Sequence, residues 1–172
     1  MRTHAGRRRT RLFALVTLPL LALIGCHHDG NSAATGNEQS VPLFVLQGPS
    51  GSTLALVPVY LNGQGPFAFA LDTGASQSVV DEDLADQLKL PKDGPAVEMT
   101  GVSATAEATQ VRVNAWRVGD VELPGRSMVC LKLSAANRRV KMRGLLGSDV
   151  LSRFGAVTVD YNNQRLLLRV HP

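Results

Sequence analysis

From residue 41 onward, closely spaced turn residues divide the chain into short apolar segments. The sequence contains 16 Gly and 9 Pro, and these residue types interrupt helices and long strands. The segments between them are rich in Val and Leu, which favours short strands. Strands are predicted over residues 41–47, 53–61, 66–71, 96–102, 109–118, 121–133, 156–161 and 165–170. This pattern predicts a mainly β domain, either barrel-like or a sandwich.

Two segments interrupt this pattern and predict short helices. Residues 81–90 begin with Asp81, a typical N-cap residue, and are followed by Pro91, which stops a helix. The stretch 144–155 predicts an apolar strand end and then a short helix that Ser148 could cap. The sequence thus predicts one or two short helices within a β domain.

Basic residues are concentrated at the N-terminus. Five of the 18 Lys and Arg precede Leu12, whereas none of the 14 Asp and Glu lies within residues 1–25. The formal charge of +4 for the whole chain therefore becomes −1 for residues 26–172. Because the excess positive charge belongs to a targeting segment, the sequence does not favour a nucleic-acid partner.

Residues 1–25 have the pattern of a secretory signal peptide, with a basic start and an apolar stretch too short to span a bilayer. The stretch ends in LIGC at residues 23–26, which resembles the lipobox of bacterial lipoproteins. This resemblance implies a lipid on Cys26 that attaches the chain to a membrane. A plain membrane anchor and a chance cysteine are the alternatives. The polar residues 26–40 predict a lipid-anchored flexible tether, which leaves a folded domain over residues 41–172.

The lipobox resemblance also implies a location. A lipid-anchored chain of this kind lies in the bacterial cell envelope with its domain on the periplasmic side, and His27 directly after the cysteine favours the outer membrane. If Cys26 carries lipid, Cys130 is the one cysteine that remains, and an intrachain disulfide is excluded. We expect Cys130 to be a small buried hydrophobic residue rather than a nucleophile.

No metal site or cofactor is predicted. The run HHD at residues 27–29 contains metal-ligating residue types, but no matching cluster follows it, and a solvated linker explains it better.

A carboxylate at the end of an apolar strand is the most informative feature of the domain. The sequence FALDTGAS at residues 69–76 places Asp72 directly after alternating apolar residues and directly before Thr-Gly. A buried carboxylate needs compensation, which backbone N–H groups and the Thr73 hydroxyl could supply. Gly74 would allow a ligand or another backbone to approach closely.

These residues resemble the catalytic loop of aspartic proteases, in the Asp-Thr-Gly-Ala form of the retroviral type. Leu145, Leu146 and Gly147 match the hydrophobic-hydrophobic-Gly signature of the same family, 75 residues after Asp72. The resemblance covers residues 41–172 and implies a single-domain retropepsin-like closed β-barrel. It also implies that the strand with Leu145 and Leu146 passes beside the catalytic loop and that Gly147 packs against that loop.

The resemblance implies an aspartic endopeptidase that acts on protein or peptide substrates. Chemistry of this kind needs two carboxylates on one water, and the chain has a single Asp-Thr-Gly. A homodimer with one Asp72 from each protomer would supply the pair. Thr73 would then hydrogen-bond across the two-fold axis, Gly74 would accept substrate backbone, and Ala75 stands where pepsin-like enzymes carry Ser.

A candidate flap over the cleft lies between two predicted strands. Residues 101–106 are small, and Gly101, Val102 and Ser103 form the predicted tip. Residues 101–106 contain no aromatic residue that would support this assignment.

A basic cluster of four residues precedes the Leu-Leu-Gly signature: Arg138, Arg139, Lys141 and Arg143. A solvated loop is the simpler interpretation, and contact with anionic lipid headgroups or acidic substrate is the alternative. Two rival functions also stay open at this point. One is a catalytically silent pepsin-like domain used for binding or scaffolding, and the other is a structural envelope lipoprotein without a cleft.

Overall fold

The computed structural model of the chain describes residues 38–48, 51–100, 105–133 and 140–170. The elements in chain order are β1 (Glu38–Pro42), β2 (Phe44–Gln47), β3 (Thr53–Leu61), β4 (Gln64–Leu71), β5 (Val79–Asp81), α1 (Glu82–Gln87), β6 (Val97–Thr100), β7 (Thr105–Val118), β8 (Val121–Leu131), β9 (Gly144–Leu146), α2 (Ser148–Leu151), β10 (Ala156–Asp160) and β11 (Arg165–Arg169). The prediction of a mainly β domain with two short helices is confirmed. Neither described helix is long and apolar enough to cross a membrane.

The strands form one large and one small sheet. The large sheet has the order β2-β3-β4-β9-β5-β8-β7-β6, and an additional pairing joins β3 to β7. This pairing links six of the strands into a barrel-like ring. The small sheet has the order β1-β11-β10, and its strands are antiparallel.

The predicted first strand, residues 41–47, is divided between the two sheets. Val41 pairs with β11 in the small sheet, whereas Phe44 pairs with Leu56 of β3 in the large one. The break falls at Leu43, whose backbone N–H donates to the carbonyl of Gln164 at 2.9 Å. The chain therefore passes from one sheet to the other inside a continuous Val- and Leu-rich segment, and the sequence pattern does not show where.

The centre of the large sheet places β9 between β4 and β5. β9 pairs in parallel with β4 and in antiparallel fashion with β5, and Leu71 lies opposite Leu146 in this register. The side chains of Phe69 and Leu146 are buried in the main hydrophobic core. Burial of side chains of this size contributes about 1.5–3 kcal/mol each, so the core fixes the position of both strand ends.

Helix α1 is shorter than the predicted segment 81–90. It ends at Gln87, and Lys89 adopts a positive φ of 51°, which turns the chain out of the helix. Asp81 occupies the N-cap position, but its side chain makes no capping hydrogen bond. The expectation that Asp81 caps this helix is wrong.

The Asp81 carboxylate is used for a long-range contact instead. Its Oδ1 accepts a hydrogen bond from the Leu133 backbone at 3.2 Å, and its Oδ2 lies 3.5 Å from Nη1 of Arg143. Both side chains are nearly inaccessible to solvent, at 2% for Asp81 and 12% for Arg143. A buried carboxylate is stable only when its charge is compensated, so this ion pair determines where Asp81 points.

Gly144 allows the close approach of β9 to β4. A Cβ atom on Gly144 would overlap ring carbons of Phe69, the residue opposite it in the register. We expect Gly144→Ala to lower the free energy of unfolding by about 1–3 kcal/mol through overpacking, measured from urea unfolding curves.

The double variant Phe69→Leu/Gly144→Ala serves as the control, since the smaller side chain leaves room for the new methyl group. Its loss of stability should be smaller than the sum of the two single losses. A Gly144→Ala protein as stable as the parent would contradict this account of the contact.

Candidate active site

Asp72 lies directly after β4, where the strand leaves the sheet. Its backbone N–H donates to the carbonyl of Leu146 at 3.0 Å, which extends the pairing between β4 and β9 by one residue. The backbone position of Asp72 is therefore set by the pairing of β4 with β9.

The two oxygens of the Asp72 carboxylate have different surroundings. Oδ1 accepts hydrogen bonds from the backbone N–H groups of Gly74 at 3.0 Å and Ala75 at 3.1 Å. In the part of the chain that the structure describes, Oδ2 has no hydrogen-bond donor. The side chain is half-buried and the two residues after it are exposed. The carboxylate is thus oriented through one oxygen and open through the other.

Backbone N–H groups, and not the Thr73 hydroxyl, compensate the charge of the Asp72 carboxylate. Thr73 is exposed, and its hydroxyl makes no hydrogen bond to any of the described residues. Gly74 is close to the carboxylate, since a Cβ atom on it would lie 3.3 Å from Oδ1 of Asp72. The alanine methyl of Ala75 cannot donate a hydrogen bond, so backbone groups alone bind Oδ1.

The Leu-Leu-Gly segment lies beside this loop. Leu145 pairs with Ala70, Leu146 is buried and accepts the Asp72 amide, and Gly147 follows at the end of β9. A Cβ atom on Gly147 would lie 2.7 Å from the carbonyl carbon of Gln77 and 2.9 Å from the carbonyl oxygen of Ala75. Since both neighbours are backbone atoms, glycine is required at this position.

Ser148 contacts the loop and does not cap α2. The N-cap residue of α2 is Gly147, and Ser148 is the first helical residue. The hydroxyl and the backbone N–H of Ser148 both donate to the carbonyl of Ala75, at 3.0 and 2.8 Å. The expectation that Ser148 caps this helix is wrong, because the helix begins one residue earlier than expected and Gly147 occupies the N-cap position.

Three polar residues near the loop were not identified from the sequence. They are Ser78, Asp149 and Arg126, which form a connected set of contacts behind the loop. Asp149 is 71 residues from Ser78, and nothing in their local patterns indicates a partner. The one feature that could have indicated Asp149 is its place as a carboxylate in the first turn of a short apolar helix. A favourable interaction with the helix dipole explains a carboxylate there equally well.

The candidate flap residues Gly101, Val102 and Ser103 lie outside the described residues. The strands on either side of them, β6 and β7, are antiparallel and pair up to Thr100 and Thr105. The flap stays a prediction.

Cys130 lies in the core, with 8% of its surface exposed. Burial raises the pKa of the Cys130 thiol, so the reactive thiolate is disfavoured at neutral pH. The described ranges contain no group of three or more His, Cys, Asp or Glu residues arranged to hold a metal ion.

Two members of the basic cluster have acidic partners in the chain. Lys141 lies 2.7 Å from a carboxylate oxygen of Asp83 and holds the pKa of that carboxyl below its usual value. Arg143 pairs with Asp81, as described above. Arg138 and Arg139 lie outside the described residues, so contact with lipid headgroups stays a prediction for them.

Comparison with known proteins identifies one family. A family model described as aspartyl protease matches residues 57–150, which is more than half of the chain and includes both Asp72 and Gly147. Among solved structures, a retropepsin-like aspartic protease from Rickettsia conorii is similar at 20% identity and a TM-score of 0.48, covering 77% of this chain and 91% of that chain. No curated protein matches the chain.

Proposed function

Since the chain belongs to the aspartyl protease family, as its sequence predicts, we propose that it is an aspartic endopeptidase that works as a homodimer. The Asp72 carboxylate carries this proposal. Oδ1 is held by the amides of Gly74 and Ala75, while Oδ2 has no donor among the described residues. A carboxylate fixed in this way can hold a water molecule, or face a second carboxylate, through its free oxygen.

The proposed reaction needs two Asp72 side chains, one from each protomer. Two carboxylates that share one water cannot both be ionised, so one of them keeps a proton. The ionised carboxylate takes a proton from the water, and the water oxygen attacks the carbonyl carbon of the substrate peptide. The protonated carboxylate gives its proton to the carbonyl oxygen. The C–N bond then breaks as the nitrogen takes the proton held by the pair and a hydroxyl of the tetrahedral intermediate returns a proton to the pair. The amine and the carboxylic acid leave, and the pair again holds one proton.

The homodimer follows from the number of motifs and from the surface around Asp72. A single Asp-Thr-Gly cannot form the pair within one chain. Thr73 is exposed, and its hydroxyl has no partner among the described residues, so it is free to bond to the other protomer. An isologous dimer brings the same residue of both protomers to the two-fold axis.

We propose further that the chain is a lipoprotein of the bacterial cell envelope. The sequence LIGC at residues 23–26 and the polar stretch that follows it support a lipid on Cys26 and a domain on the periplasmic side. Proteins or peptides of that compartment would then be the substrates.

The activity is tested with Asp72→Asn in the full chain. This change removes both the base and the shared proton, so cleavage of a mixed peptide library should fall by about a thousandfold or more. Asp120→Asn is the matched control, because Asp120 is fully exposed and should keep parental activity. Cleavage by the Asp72→Asn protein at near the parental rate would place the activity elsewhere. A parent without pepstatin-sensitive cleavage would favour the silent binding domain.

The dimer is tested with the same pair of variants. Two like charges about 4 Å apart repel by ~1 kcal/mol even at the dielectric constant of water. In the parent at pH 7, two Asp72 carboxylates that meet must either bear this repulsion or take up the shared proton to avoid it. Asp72→Asn keeps the side-chain shape and removes this cost, so it should dimerise about fivefold more tightly than the parent at pH 7. Sedimentation of the full chain in detergent measures this. Asp120→Asn makes the same change in net charge and should leave the dissociation constant unchanged. Equal dissociation of Asp72→Asn and the parent would mean that the two side chains do not meet.

The lipid anchor is tested with Cys26→Ser in the natural host. This protein should accumulate as an uncleaved precursor without lipid, whereas Cys130→Ser should be processed normally. Mass spectrometry of the intact proteins distinguishes the two. An unmodified mature N-terminus on the parent protein would contradict the lipoprotein proposal.

A further inference from the structure

Four consecutive residues, beginning with the last residue of β9, each contact the loop that carries Asp72. Leu146 accepts the Asp72 amide, the Gly147 amide donates to the Ser78 hydroxyl at 3.0 Å, and Ser148 donates twice to the Ala75 carbonyl. Asp149 completes the series by accepting the proton of the Ser78 hydroxyl at 2.7 Å. The loop is therefore held at its beginning, its middle and its end.

Ser78 is the anchor at the end of the loop. Its side chain is buried, with 1% of the residue exposed, and its hydroxyl has a single proton to donate. The hydroxyl donates its hydrogen bond to Asp149, and a lone pair of the same oxygen therefore faces the Gly147 amide. Asp149 thus determines the direction of the hydroxyl on which the Gly147 contact depends.

Arg126 of β8 compensates the charge of Asp149. Its Nη2 lies 2.6 Å from Oδ2 of Asp149, and the two side chains are 26% and 14% exposed. Each carboxylate oxygen has a separate role, since Oδ1 faces Ser78 and Oδ2 faces Arg126. A carboxylate this far from solvent is costly without a cation beside it, so Arg126 compensates the charge of Asp149 and holds its side chain in place.

We propose that Asp149 and Arg126 are positioning residues for Asp72, acting through Ser78 and the Asp72 loop. The proposal rests on the proposed endopeptidase function for its kinetic readout and on the loop geometry for its second readout.

The physical link is the set of amides that orient the Asp72 carboxylate. Gly74 and Ala75 donate to Oδ1, and the Ala75 carbonyl is held by Ser148, next to Asp149 in the chain. If the Ser78 anchor loosens, the loop can shift and these amides move relative to the carboxylate. A misplacement of about 1 Å can cost about a hundredfold in rate, because the reaction requires aligned groups.

The chain contains a matched control for this arrangement. Ser127 donates to Oδ2 of Asp93 at 2.5 Å, and Nη1 of Arg112 lies 3.6 Å from the same oxygen. These are the same three residue types, Ser, Asp and Arg. Ser127 is adjacent to Arg126 and accepts from its Nε through the backbone carbonyl, but neither Asp93 nor Arg112 bonds to the Asp72 loop, so the control change is made at Asp93. Since this ion pair is more exposed, at 47% and 35%, Asp93→Asn controls for removing one charge from a Ser-Asp-Arg set, and the loss of stability is controlled separately.

The experiment compares Asp149→Asn with Asp93→Asn in the full chain. Asp149→Asn keeps the side-chain volume and removes the charge that Arg126 binds, so the side chain is no longer fixed with an oxygen toward the Ser78 hydroxyl. Steady-state kinetics are measured at a temperature at which circular dichroism shows every variant folded. We expect kcat to fall by about tenfold or more for Asp149→Asn with KM within about twofold of the parent, and both constants to be unchanged for Asp93→Asn.

Two further variants examine the partner. Arg126→Gln should reproduce the loss of kcat, and Arg126→Lys, which keeps the cation, should restore part of it. The double variant Asp149→Asn/Arg126→Gln should lose no more than the larger single loss, since both changes break one connection.

Amide hydrogen exchange supplies the readout that is independent of activity. The Gly147 and Ser148 amides donate to the loop, so their exchange should be about tenfold faster in Asp149→Asn and unchanged in Asp93→Asn. Parental kcat and parental exchange in Asp149→Asn would overturn the proposal while leaving the endopeptidase function intact. An inactive parent with faster exchange of these two amides in Asp149→Asn would overturn the function and support the loop positioning.

Discussion

The short parallel pairing of β4 with β9 is the constraint on which the candidate site depends. It brings the Asp72 amide to the Leu146 carbonyl at the point where both strands leave the sheet. Two glycines make the approach possible, because a side chain on Gly144 would overlap Phe69 and one on Gly147 would overlap the backbone of the loop. The site therefore lies where β9 approaches its neighbours so closely that Gly144 and Gly147 leave no room for a side chain.

Polar contacts then fix what the backbone pairing brings together. The Asp72 amide, the Ala75 carbonyl and the Ser78 hydroxyl each have a partner in the segment from Leu146 to Asp149. The ion pair between Asp149 and Arg126 extends these contacts to β8. The Oδ2 atom of Asp72 differs from all of these groups, since it has no donor among the described residues. The loop is held by these contacts around one carboxylate oxygen that stays open.

Local rules predicted the kind of element correctly and some of its side-chain contacts wrongly. The strands other than β5, the short helices and the closing hairpin follow from periodicity and turn residues, whereas β5 has three residues and was not predicted as a strand. The cap roles expected for Asp81 and Ser148 fail for different reasons. The Asp81 carboxylate faces Arg143 instead, because a capping preference is worth about 1 kcal/mol and the cost of an uncompensated buried charge outweighs it. Ser148 lies inside its helix, whose N-cap residue is Gly147.

The sequence by itself determined the β class, the position of the candidate carboxylate and, through the Asp-Thr-Gly and Leu-Leu-Gly motifs, the family. These depend on neighbouring residues, whose pattern can be read along the chain. The tertiary structure alone decided which oxygen of Asp72 is bound, where the first strand changes sheets, and that Ser78, Asp149 and Arg126 meet behind the loop. Such contacts join residues tens of positions apart, and their energies depend on burial and distance, which the order of residues does not specify.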